Sequence, residues 1–474
     1  MRFDHVAPPA QDGPTRPADA PAAPAGVGQL APRRSRLVPW LSALGLASLC
    51  FLLGAAVMFF EWPPSGFLGR AFLGSRAWNE RRQMASSPDE APAPAPVVEV
   101  DEPGKTFDGF TLYTCNADPV SGTQAYLINM RREPVHKWAA PFSRVWPDPP
   151  HLRVQVPDSM VYVFGCHLYP NGDLLVVFHG LEQLANGYGL AKLDKDSNVL
   201  WKYAARCHHD VDVGEDGTVY AIAHENVNVM PPGLEHLPTP SLVDYLVMLS
   251  PEGKELRKPI PILEALRDSP YSALLSSIGK PAKRQSAPGL NVRQFLDTLR
   301  SQDVLHTNSV KVLTRELAPK FPGFKAGQVL ISMRNLDAVA VLDPDTGSVV
   351  WAARGPWLSQ HDAQFLDNGR MLIFDNLGSP QTSRVLEYDP RTQAFPWAYP
   401  AGDGAPFFTR ERGMCQRLPN GNTLIVNSEG GQILEVSPGH ELVWSCSVNR
   451  YLSTGRRYAA GELQFLKGDQ RARP

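Results

Sequence analysis

Three histidines recur at related positions along the chain. His209 and His361 each stand seven residues before an Asp-Gly or Asn-Gly pair, and His306 begins HTNSV, a segment similar to the HDAQF that begins at His361. A neutral imidazole near its usual pKa of about 6.5 can act as a nucleophile or transfer a proton. We therefore predict that these three imidazoles meet in one catalytic site.

Two further side chains favour an anion as the occupant of that site. Arg334 directly follows the apolar segment VLISM, which favours a guanidinium held against a buried partner or a bound anion. Asn308 lies two residues after His306, on the same face of a strand. Together these donors suit a tetrahedral oxyanion. A lone histidine more often has a structural role, and we interpret His208, which strand alternation turns away from His209, in that way.

One pattern recurs from about residue 106 onward: an apolar strand, an Asn-Gly or Asp-Gly turn, another apolar strand and a last strand that ends in Trp. Such pairs between apolar runs are strong β-hairpin signals. A repeat of about 40–55 residues with four strands is typical of a propeller blade. Five full copies and one partial copy predict an all-β fold, a six-bladed β-propeller closed by its first and last segments. Two unrelated β-sandwiches are the alternative, which the repetition disfavours. The Trp residues expected between blades are Trp138, Trp201, Trp351, Trp397 and Trp444.

The propeller is expected over residues 106–450, and the histidine positions begin the innermost strands, beside the central channel. The stretch 257–303 breaks the repeat, and its segments IPILEALRDSPYSALLSSI and NVRQFLDTLRSQ have apolar residues at helical spacing. We predict a small helical insertion there, over one mouth of the channel. Residues 451–474 are expected to form a C-terminal tail.

The N-terminal part has a different composition. Residues 1–36 are rich in Pro and Ala and predict a disordered cytoplasmic segment. The uncharged stretch 37–60 can cross a hydrocarbon core of about 30 Å, and the arginines before it favour a cytoplasmic N-terminus. We therefore expect a single-pass transmembrane helix in the inner membrane, a juxtamembrane segment and Pro-rich linker over 61–105, and a periplasmic propeller. A cleaved signal peptide is the alternative, which the length of the stretch disfavours.

Charge and cysteine content exclude some classes of function. The net charge of −2 gives no overall attraction for nucleic acid, so no such partner is expected. The six cysteines contain no C-x-x-C pair of the kind that binds metals. Cys50 lies in the apolar N-terminal stretch, and the sequence leaves open how the others pair and which oligomer forms. Those others are Cys115, Cys166, Cys207, Cys415 and Cys446.

Several of these segments together resemble the bacterial arylsulfotransferase (ASST) family. They are HHDVDVGEDGTVYAIA, VLHTNSV, LISMRNLDAVAVLDPDTGSVVW, QHDAQFLDNGRMLIFDN, SRVLEYD and QRLPNGNTLIVNSEGGQILEV, and the likeness covers roughly residues 160–445. The HTNS and QHDAQFLDNG elements are the more specific ones. The resemblance implies a six-bladed propeller that transfers a sulfuryl group from a phenolic sulfate ester to a phenolic acceptor, without the nucleotide donor PAPS.

The resemblance also implies roles for the residues singled out above. His361 would be the nucleophile and would form a transient sulfohistidine, so that the reaction follows ping-pong kinetics. His209, His306, Asn308 and Arg334 would hold the sulfuryl oxygens or protonate the leaving phenolate. No cofactor and no metal is expected. The N-terminal anchor and the lack of a closely spaced cysteine pair depart from the soluble, dimeric members of the family.

Other functions remain as alternatives. The first is a membrane-anchored propeller that binds partners or acts as a scaffold without catalysis, since a fold does not determine a function. The second is a zinc or copper site at the three histidines, which the nearby Arg334 disfavours. A propeller that binds a quinone cofactor is less favoured, because no matching repeat signature is visible.

Overall fold

The computed structural model describes part of the chain, over residues 37–59, 100–115, 124–152, 157–180, 187–237, 239–278, 303–378, 382–400, 404–448 and 450–467. The predicted disordered segment 1–36 and most of the predicted linker 61–105 lie outside these residues. The chain forms two compact units, Met1–Pro64 and Ser65–Pro474.

The first unit contains one described helix, α1 (Leu37–Phe59). Among the residues that the structure describes, no helix combines the length and the apolar character needed to cross a bilayer. The membrane span proposed for residues 37–60 stays a prediction.

The second unit contains six antiparallel sheets of four strands each, which confirms the predicted all-β, six-bladed propeller. Blade 1 contains the last strand of the chain, β24 (Leu452–Ala459), with β1 (Gly109–Cys115), β2 (Gln124–Ile128) and β3 (Pro134–Ala139). Blades 2 and 3 follow as β4 (Val161–Leu168), β5 (Leu174–Gly180), β6 (Gly187–Leu193), β7 (Val199–Tyr203), and β8 (Cys207–Val213), β9 (Val219–Val227), β10 (Ser241–Leu249), β11 (Ile260–Pro261).

The remaining blades continue in chain order. Blade 4 is β12 (Thr307–Val312), β13 (Val329–Met333), β14 (Ala338–Asp343), β15 (Ser348–Arg354), and blade 5 is β16 (His361–Phe365), β17 (Met371–Asp375), β18 (Arg384–Tyr388), β19 (Trp397–Tyr399). Blade 6 is β20 (Met414–Arg417), β21 (Thr423–Asn427), β22 (Gln432–Val436), β23 (Leu442–Ser447). The first strands of blades 2 to 6, together with β24, contact one another around the central channel.

The C-terminal segment closes the ring. β24 pairs with β1 in an antiparallel ladder that includes Thr111 opposite Arg457. The predicted tail, 451–474, therefore belongs to the propeller as far as Ala459, past the predicted boundary at 450. The physical reason is that a closed ring hides the edges of its innermost strands, and only the last strand can complete the first blade.

The outer-strand tryptophans join neighbouring blades, as predicted. The Nε1–H of Trp138 in blade 1 donates to the carbonyl of Gly172 in the first hairpin turn of blade 2, at 3.0 Å. Trp444 in blade 6 donates to Met130 of blade 1 at 3.0 Å. Both indoles are fully buried. Trp201 and Trp397 make the same kind of bond to the next blade, to Pro251 at 2.9 Å and Pro438 at 3.0 Å.

A one-turn helix, α2 (Phe142–Val145), lies between β3 and β4. The described part of the helical insertion begins with α3 (Ile262–Arg267), which buries its apolar side chains against the cluster that joins blades 3 and 4. A 3₁₀ turn, Ser272–Ser277, follows. The second predicted helical segment, NVRQFLDTLRSQ, lies outside the described residues.

Candidate active site

The first strands of the blades bring equivalent residues to the channel. In each hairpin a backbone N–H at the end of the first strand bonds to a carbonyl across the turn, as Leu366 does to Arg370 at 2.8 Å. The residue five positions before that N–H faces the channel in every case. Five blades contribute such residues, and all of them line one cavity: Phe164, His209, Asn308, His361 and Gly413.

This register corrects one prediction. His306 was expected at the position equivalent to His361, but in blade 4 the closing bond runs from Leu313 N to Gln328 O, which places Asn308 there. His306 precedes β12 by one residue. The connection from β12 to β13 is long and lacks the Asn-Gly or Asp-Gly turn that aligns the other blades. The sequence therefore allowed His306 to be aligned with His361 only through the similarity of the segments that they begin.

Irregular backbone surrounds the cavity. The ladders of β8, β12 and β16 with their neighbours each shift register close to the channel residue. His209, His306 and Asp362 have positive φ angles of 59°, 50° and 44°. Bulges and left-handed residues of this kind turn side chains out of the regular alternation and cluster at functional sites. The left-handed backbone therefore presents these side chains to the axis.

Close strand contact also depends on one glycine. A Cβ at Gly165 would clash with the carbonyl oxygen of His209. The absence of a side chain lets β4 approach β8 closely at this level of the channel.

The hydrogen bonds of His361 determine its tautomer. Its Nδ1 lies 2.7 Å from Asn376 Oδ1 and 3.1 Å from the carbonyl oxygen of Ser359. The amide of Asn376 is oriented by its Nδ2, which donates to two carbonyls, those of Thr409 at 3.0 Å and of Arg412. Both neighbours of Nδ1 are therefore acceptors, and Nδ1 carries the proton. The lone pair of the ring is then on Nε2.

Electrostatics keep that ring neutral. Burial lowers the pKa of His361 well below its usual value, and the positive charge of Arg334 lowers it further. The His361 side chain is only 4% exposed. An uncharged imidazole with a free lone pair is the form that can attack an electrophile.

Of the two other predicted residues, Asn308 lines the cavity with His361, whereas Arg334 is not among the residues that line it and acts on His361 through its charge. Arg334 begins a short 3₁₀ turn after β13, and its backbone N–H donates to the carbonyl of His306 at 3.1 Å. Asn308 donates from Nδ2 to the carbonyl of Gln360 at 2.8 Å. Its Oδ1 is buried and has no hydrogen-bond partner among the described residues. That oxygen is an acceptor that a hydroxyl group in the cavity would satisfy.

His306 is paired with a carboxylate that sequence reasoning missed. Its Nδ1 lies 2.7 Å from Asp303 Oδ2, and its backbone N–H donates to Asp303 Oδ1 at 3.1 Å. Burial alone would raise the pKa of Asp303, but the charge and hydrogen bond of His306 lower it below the usual value. Asp303 ends the insertion, and nothing in that segment marked it as a partner of a histidine. The ring centroids of His306 and His209 are 4.8 Å apart.

His209 belongs to a larger group of imidazoles. Its ring contacts His208 and His179 at centroid distances of 4.9 and 5.2 Å, and its Nδ1 lies 2.6 Å from His208 Nδ1. Burial lowers the pKa of His209 well below its usual value, and neighbouring His306 and His208 lower it further. The structure thus brings together the three predicted histidines, and it adds His179, which the repeat alignment did not single out.

Arg412 lines the cavity, and sequence reasoning missed it. It immediately precedes Gly413, the channel residue of blade 6, and has a positive φ of 64°. Its guanidinium lies 4.4 Å from the ring centroid of Tyr162 and 4.3 Å from that of Tyr451. Nη1 donates to Ser453 Oγ at 3.2 Å. The sequence signal that could have identified Arg412 is its position directly before Gly413, the residue of blade 6 that faces the channel.

A charged layer lies next to the histidines. Lys311 Nζ bonds to Asp210 Oδ2 and lies 3.9 Å from Asp362 Oδ1, and all three side chains are buried. Asp362 also accepts from the backbone N–H of Cys415 at 2.9 Å. These contacts connect the inner strands of blades 3, 4, 5 and 6 and hold the histidine-bearing strands in place.

The cavity is narrow and partly open to solvent. The cavity residues that bear functional groups are two imidazoles, a guanidinium, an amide and two carboxylates: His209, His361, Arg412, Asn308, Asp210 and Asp362. The arrangement suits a small anion next to a nucleophilic imidazole.

The fold resembles that of several solved structures at low sequence identity. A protein of unknown function from Bacteroides caccae is 12% identical, with 73% of this chain and 98% of that chain covered and a TM-score of 0.45. An inactive variant of virginiamycin B lyase from Staphylococcus aureus, solved with quinupristin, is 10% identical, with 61% and 71% covered and a TM-score of 0.33.

No curated protein matches this chain. The model of one protein family, described as arylsulfotransferase (ASST), matches residues 166–450, more than half of the chain. The matched range contains all five predicted site residues: His209, His306, Asn308, Arg334 and His361. The chain therefore belongs to the arylsulfotransferase (ASST) family.

Proposed function

We propose that this protein is a PAPS-independent aryl sulfotransferase that moves a sulfuryl group from a phenolic sulfate ester to a phenolic acceptor. The observation that carries the proposal is the state of His361. Its Nδ1–H is held by Asn376 and Ser359, and burial with Arg334 lowers its pKa, so that Nε2 offers a lone pair in a cavity rich in donors.

In the first half-reaction, Nε2 of His361 attacks the sulfur of the donor ester. The N–S bond forms as the bond between sulfur and the phenolic oxygen breaks, and the electron pair of that bond leaves with the phenolate. A neighbouring imidazolium gives the phenolate a proton. His306 suits this role because Asp303, 2.7 Å from its Nδ1, stabilises the protonated ring.

In the second half-reaction, the imidazole of His306 accepts the proton of the incoming phenol as the phenol oxygen attacks the sulfur. The N–S bond breaks, and His361 regains its lone pair. Asn308 Oδ1, buried without a partner among the described residues, is placed to accept the hydroxyl hydrogen of the acceptor before that transfer. One intermediate shared by two half-reactions predicts ping-pong kinetics.

The sulfuryl oxygens need positive groups that are in place before the reaction. A sulfuryl group in transfer has charge on its three equatorial oxygens, as a phosphoryl group does, so positioned donors stabilise its transition state. Arg334 and His209 are proposed for this role, as the sequence predicts. Arg412, which lines the cavity together with His209, is added to them.

The experiment uses the full chain in detergent, with 4-nitrophenyl sulfate as donor and phenol as acceptor. We expect turnover by the wild-type protein and loss of at least about 10³-fold in kcat for His361→Gln, because the covalent route is removed. His236→Gln is the matched control, since His236 is exposed, and it should retain full activity.

Brief exposure to the donor alone should add a sulfuryl group to the peptide that contains His361, detected by mass spectrometry. A protein that shows no transfer and no adduct, or an active His361→Gln variant, would overturn the proposal. The first of these results would favour the non-catalytic binding or scaffold propeller.

We also propose that residues 37–60 anchor the protein in the inner membrane, with the propeller in the periplasm. The support is the uncharged stretch with arginines before it. Protease added to spheroplasts should digest the propeller but leave an N-terminal tag intact. Digestion of the tag instead, or release of the protein into the soluble fraction, would contradict this.

A further inference from the structure

Three side chains of blade 3, none of which lines the cavity, converge on one another. His208 is on β8, His224 on β9 and Asp244 on β10, and each offers one ligand atom within 4.8 Å of the others. Asp244 stands directly opposite His224, and His208 stands opposite Ile222, two residues before His224. Side chains at such positions share one face of a sheet.

The buried polar atoms of this group lack partners. His208 Nε2 and Asp244 Oδ1 belong to side chains that are 2% and 1% exposed, and neither atom has a hydrogen-bond partner among the described residues. Thr307 Oγ1 is in the same state, and the Thr307 N–H donates to Asp244 Oδ2 at 2.8 Å. A buried polar atom without a partner is destabilising, so several of them together indicate a missing component.

The distance between the unpartnered atoms fits a shared metal ion. His208 Nε2 and Asp244 Oδ1 are 3.4 Å apart, beyond the usual 2.7–3.2 Å of an N–H···O hydrogen bond. Two ligands that are each about 2.0–2.1 Å from a tetrahedral zinc ion stand about 3.3 Å apart.

The ring nitrogens are also in suitable states. The Gly187 N–H donates to His224 Nε2 at 3.3 Å, so that nitrogen is unprotonated, and a metal bound there would take the place of this long hydrogen bond. The 2.6 Å contact between His208 Nδ1 and His209 Nδ1 requires one of them to donate. If His208 donates, its Nε2 is left with the lone pair that a metal needs.

We propose that His208, His224 and Asp244 bind a divalent transition-metal ion of the zinc class. Two imidazoles and a carboxylate suit zinc and its neighbours, and all three ligands come from adjacent strands of one rigid sheet. The charge of Arg334 disfavours a cation at the cavity histidines, and its effect is on the pKa of His361, which is not one of the three proposed ligands. The site is distinct from the cavity, which none of its three residues lines.

The metal would also fix the tautomer of His209. A metal-bound histidine donates its other ring N–H to a neighbour. If His208 Nδ1 donates to His209 Nδ1, the proton of His209 is on its Nε2. That N–H can then donate a hydrogen bond to a group bound in the cavity, which His209 lines. This consequence rests on the proposed sulfuryl transfer, whereas metal binding itself does not.

The test uses the full chain, purified in detergent without an immobilised-metal column. Elemental analysis should find about one equivalent of zinc or a related ion per chain. After removal with EDTA, added zinc should bind saturably and raise the melting temperature, because it binds the folded state. Cobalt in its place should give the visible absorption of a tetrahedral site. Absence of saturable zinc binding to the wild-type chain would refute the proposal without any variant.

Variants locate the site. His224→Gln and Asp244→Asn should each weaken zinc binding by more than about 10-fold, whereas His236→Gln, on an exposed loop of the same blade, should bind zinc like the wild type. Equal zinc binding by all three would refute the assignment. His361→Gln should keep its zinc while it loses sulfuryl transfer, so failure of the metal proposal and failure of the proposed function are distinguishable.

Discussion

At the scale of single residues, the orientation and charge of His361 are determined by different neighbours. Asn376 and Ser359 hold the proton on Nδ1, and the amide of Asn376 is itself held by the carbonyls of Thr409 and Arg412. Burial and Arg334 lower the pKa of the ring. The geometry of the nucleophile therefore depends on the backbone of blades 5 and 6, whereas its protonation depends on a cation from blade 4.

Replacement of Arg334 should change the pH dependence of transfer. The pKa of His361 is lowered below 6.5, so the nucleophile is lost only as the pH falls through that lowered value. Arg334→Gln removes the positive charge, so the pKa of His361 rises and activity is lost at a higher pH. We expect kcat at neutral pH to fall by about 10²–10³-fold as well, since a transition-state donor is lost. The measurement is kcat against pH from 5 to 9.

Two variants separate charge from other effects. Arg334→Lys should keep the acid limb of the profile near its wild-type position, because it keeps the charge. Arg315→Gln, whose side chain is 84% exposed, should leave both rate and profile unchanged. An acid limb that stays in place in Arg334→Gln, with a lower rate, would show that Arg334 binds substrate without affecting His361.

At the scale of elements, one buried ion pair joins the closing strand to blade 6. Arg457 of β24 and Glu435 of β22 are both fully buried, and Nη1 lies 3.1 Å from Oε2. Arg457 Nε also donates to Thr111 Oγ1 at 2.7 Å, and Glu435 Oε1 accepts from the Phe107 N–H at 2.6 Å. The pair thus links the first blade, the last blade and the segment that enters the ring.

Loss of this pair should weaken closure of the ring. Glu435→Gln leaves the Arg457 charge buried without its counterion, which costs about 3–5 kcal/mol. The control is Glu441→Gln, because Glu441 pairs with Lys105 at 2.6 Å on the surface, with side chains 49% and 52% exposed. An exposed pair contributes about 0–1 kcal/mol. Urea unfolding should separate the two variants by several kcal/mol, and equal losses would contradict the role assigned to the buried pair.

At the scale of the whole molecule, the sequence predicts the ring well because every blade repeats local signals. The Asn-Gly and Asp-Gly turns and the strand-ending tryptophans lie within single hairpins or between adjacent blades, so periodicity reveals them. Closure by the last segment was expected, but its strand was assigned to the tail, since LSTGRRYA has no turn of its own and makes its ladder with β1, more than 300 residues earlier.

The candidate site could be predicted only in part, for the same reason. His209 and His361 were found because both precede a hairpin turn. His306 was aligned with His361, although it lies two residues before the equivalent position, because its turn is replaced by a long connection. Asp303 and Arg412 lie outside the repeated strands, and their roles depend on contacts with other blades that no local pattern encodes.

Buried imidazoles make the stability of the propeller sensitive to acid. Burial lowers the pKa of His167 to about 3, with help from the charges of Arg456 and Lys311, and it lowers the pKa of His179 well below the usual value. His361 is in the same state. Above pH 6.5 these rings are neutral in both the folded and the unfolded chain, so they do not affect stability there.

Below pH 6.5 these imidazoles become protonated in the unfolded chain but stay neutral in the folded chain, so the free energy of unfolding decreases as the pH falls. Each of these three imidazoles costs about 1.4 kcal/mol at one pH unit below 6.5, and His209 and His224, whose pKa values burial also lowers, add to that loss. Urea unfolding at pH 7.5 and 5.5 measures the loss. His179→Phe should reduce the difference between the two pH values by about 1.4 kcal/mol, whatever its effect at pH 7.5, because one proton-binding site is removed from the unfolded chain alone. His236→Gln, at an exposed position, should change the difference much less. A His179→Phe protein with the full wild-type loss would show that this imidazole is protonated in the folded ring, contrary to its burial against Tyr162 and His209.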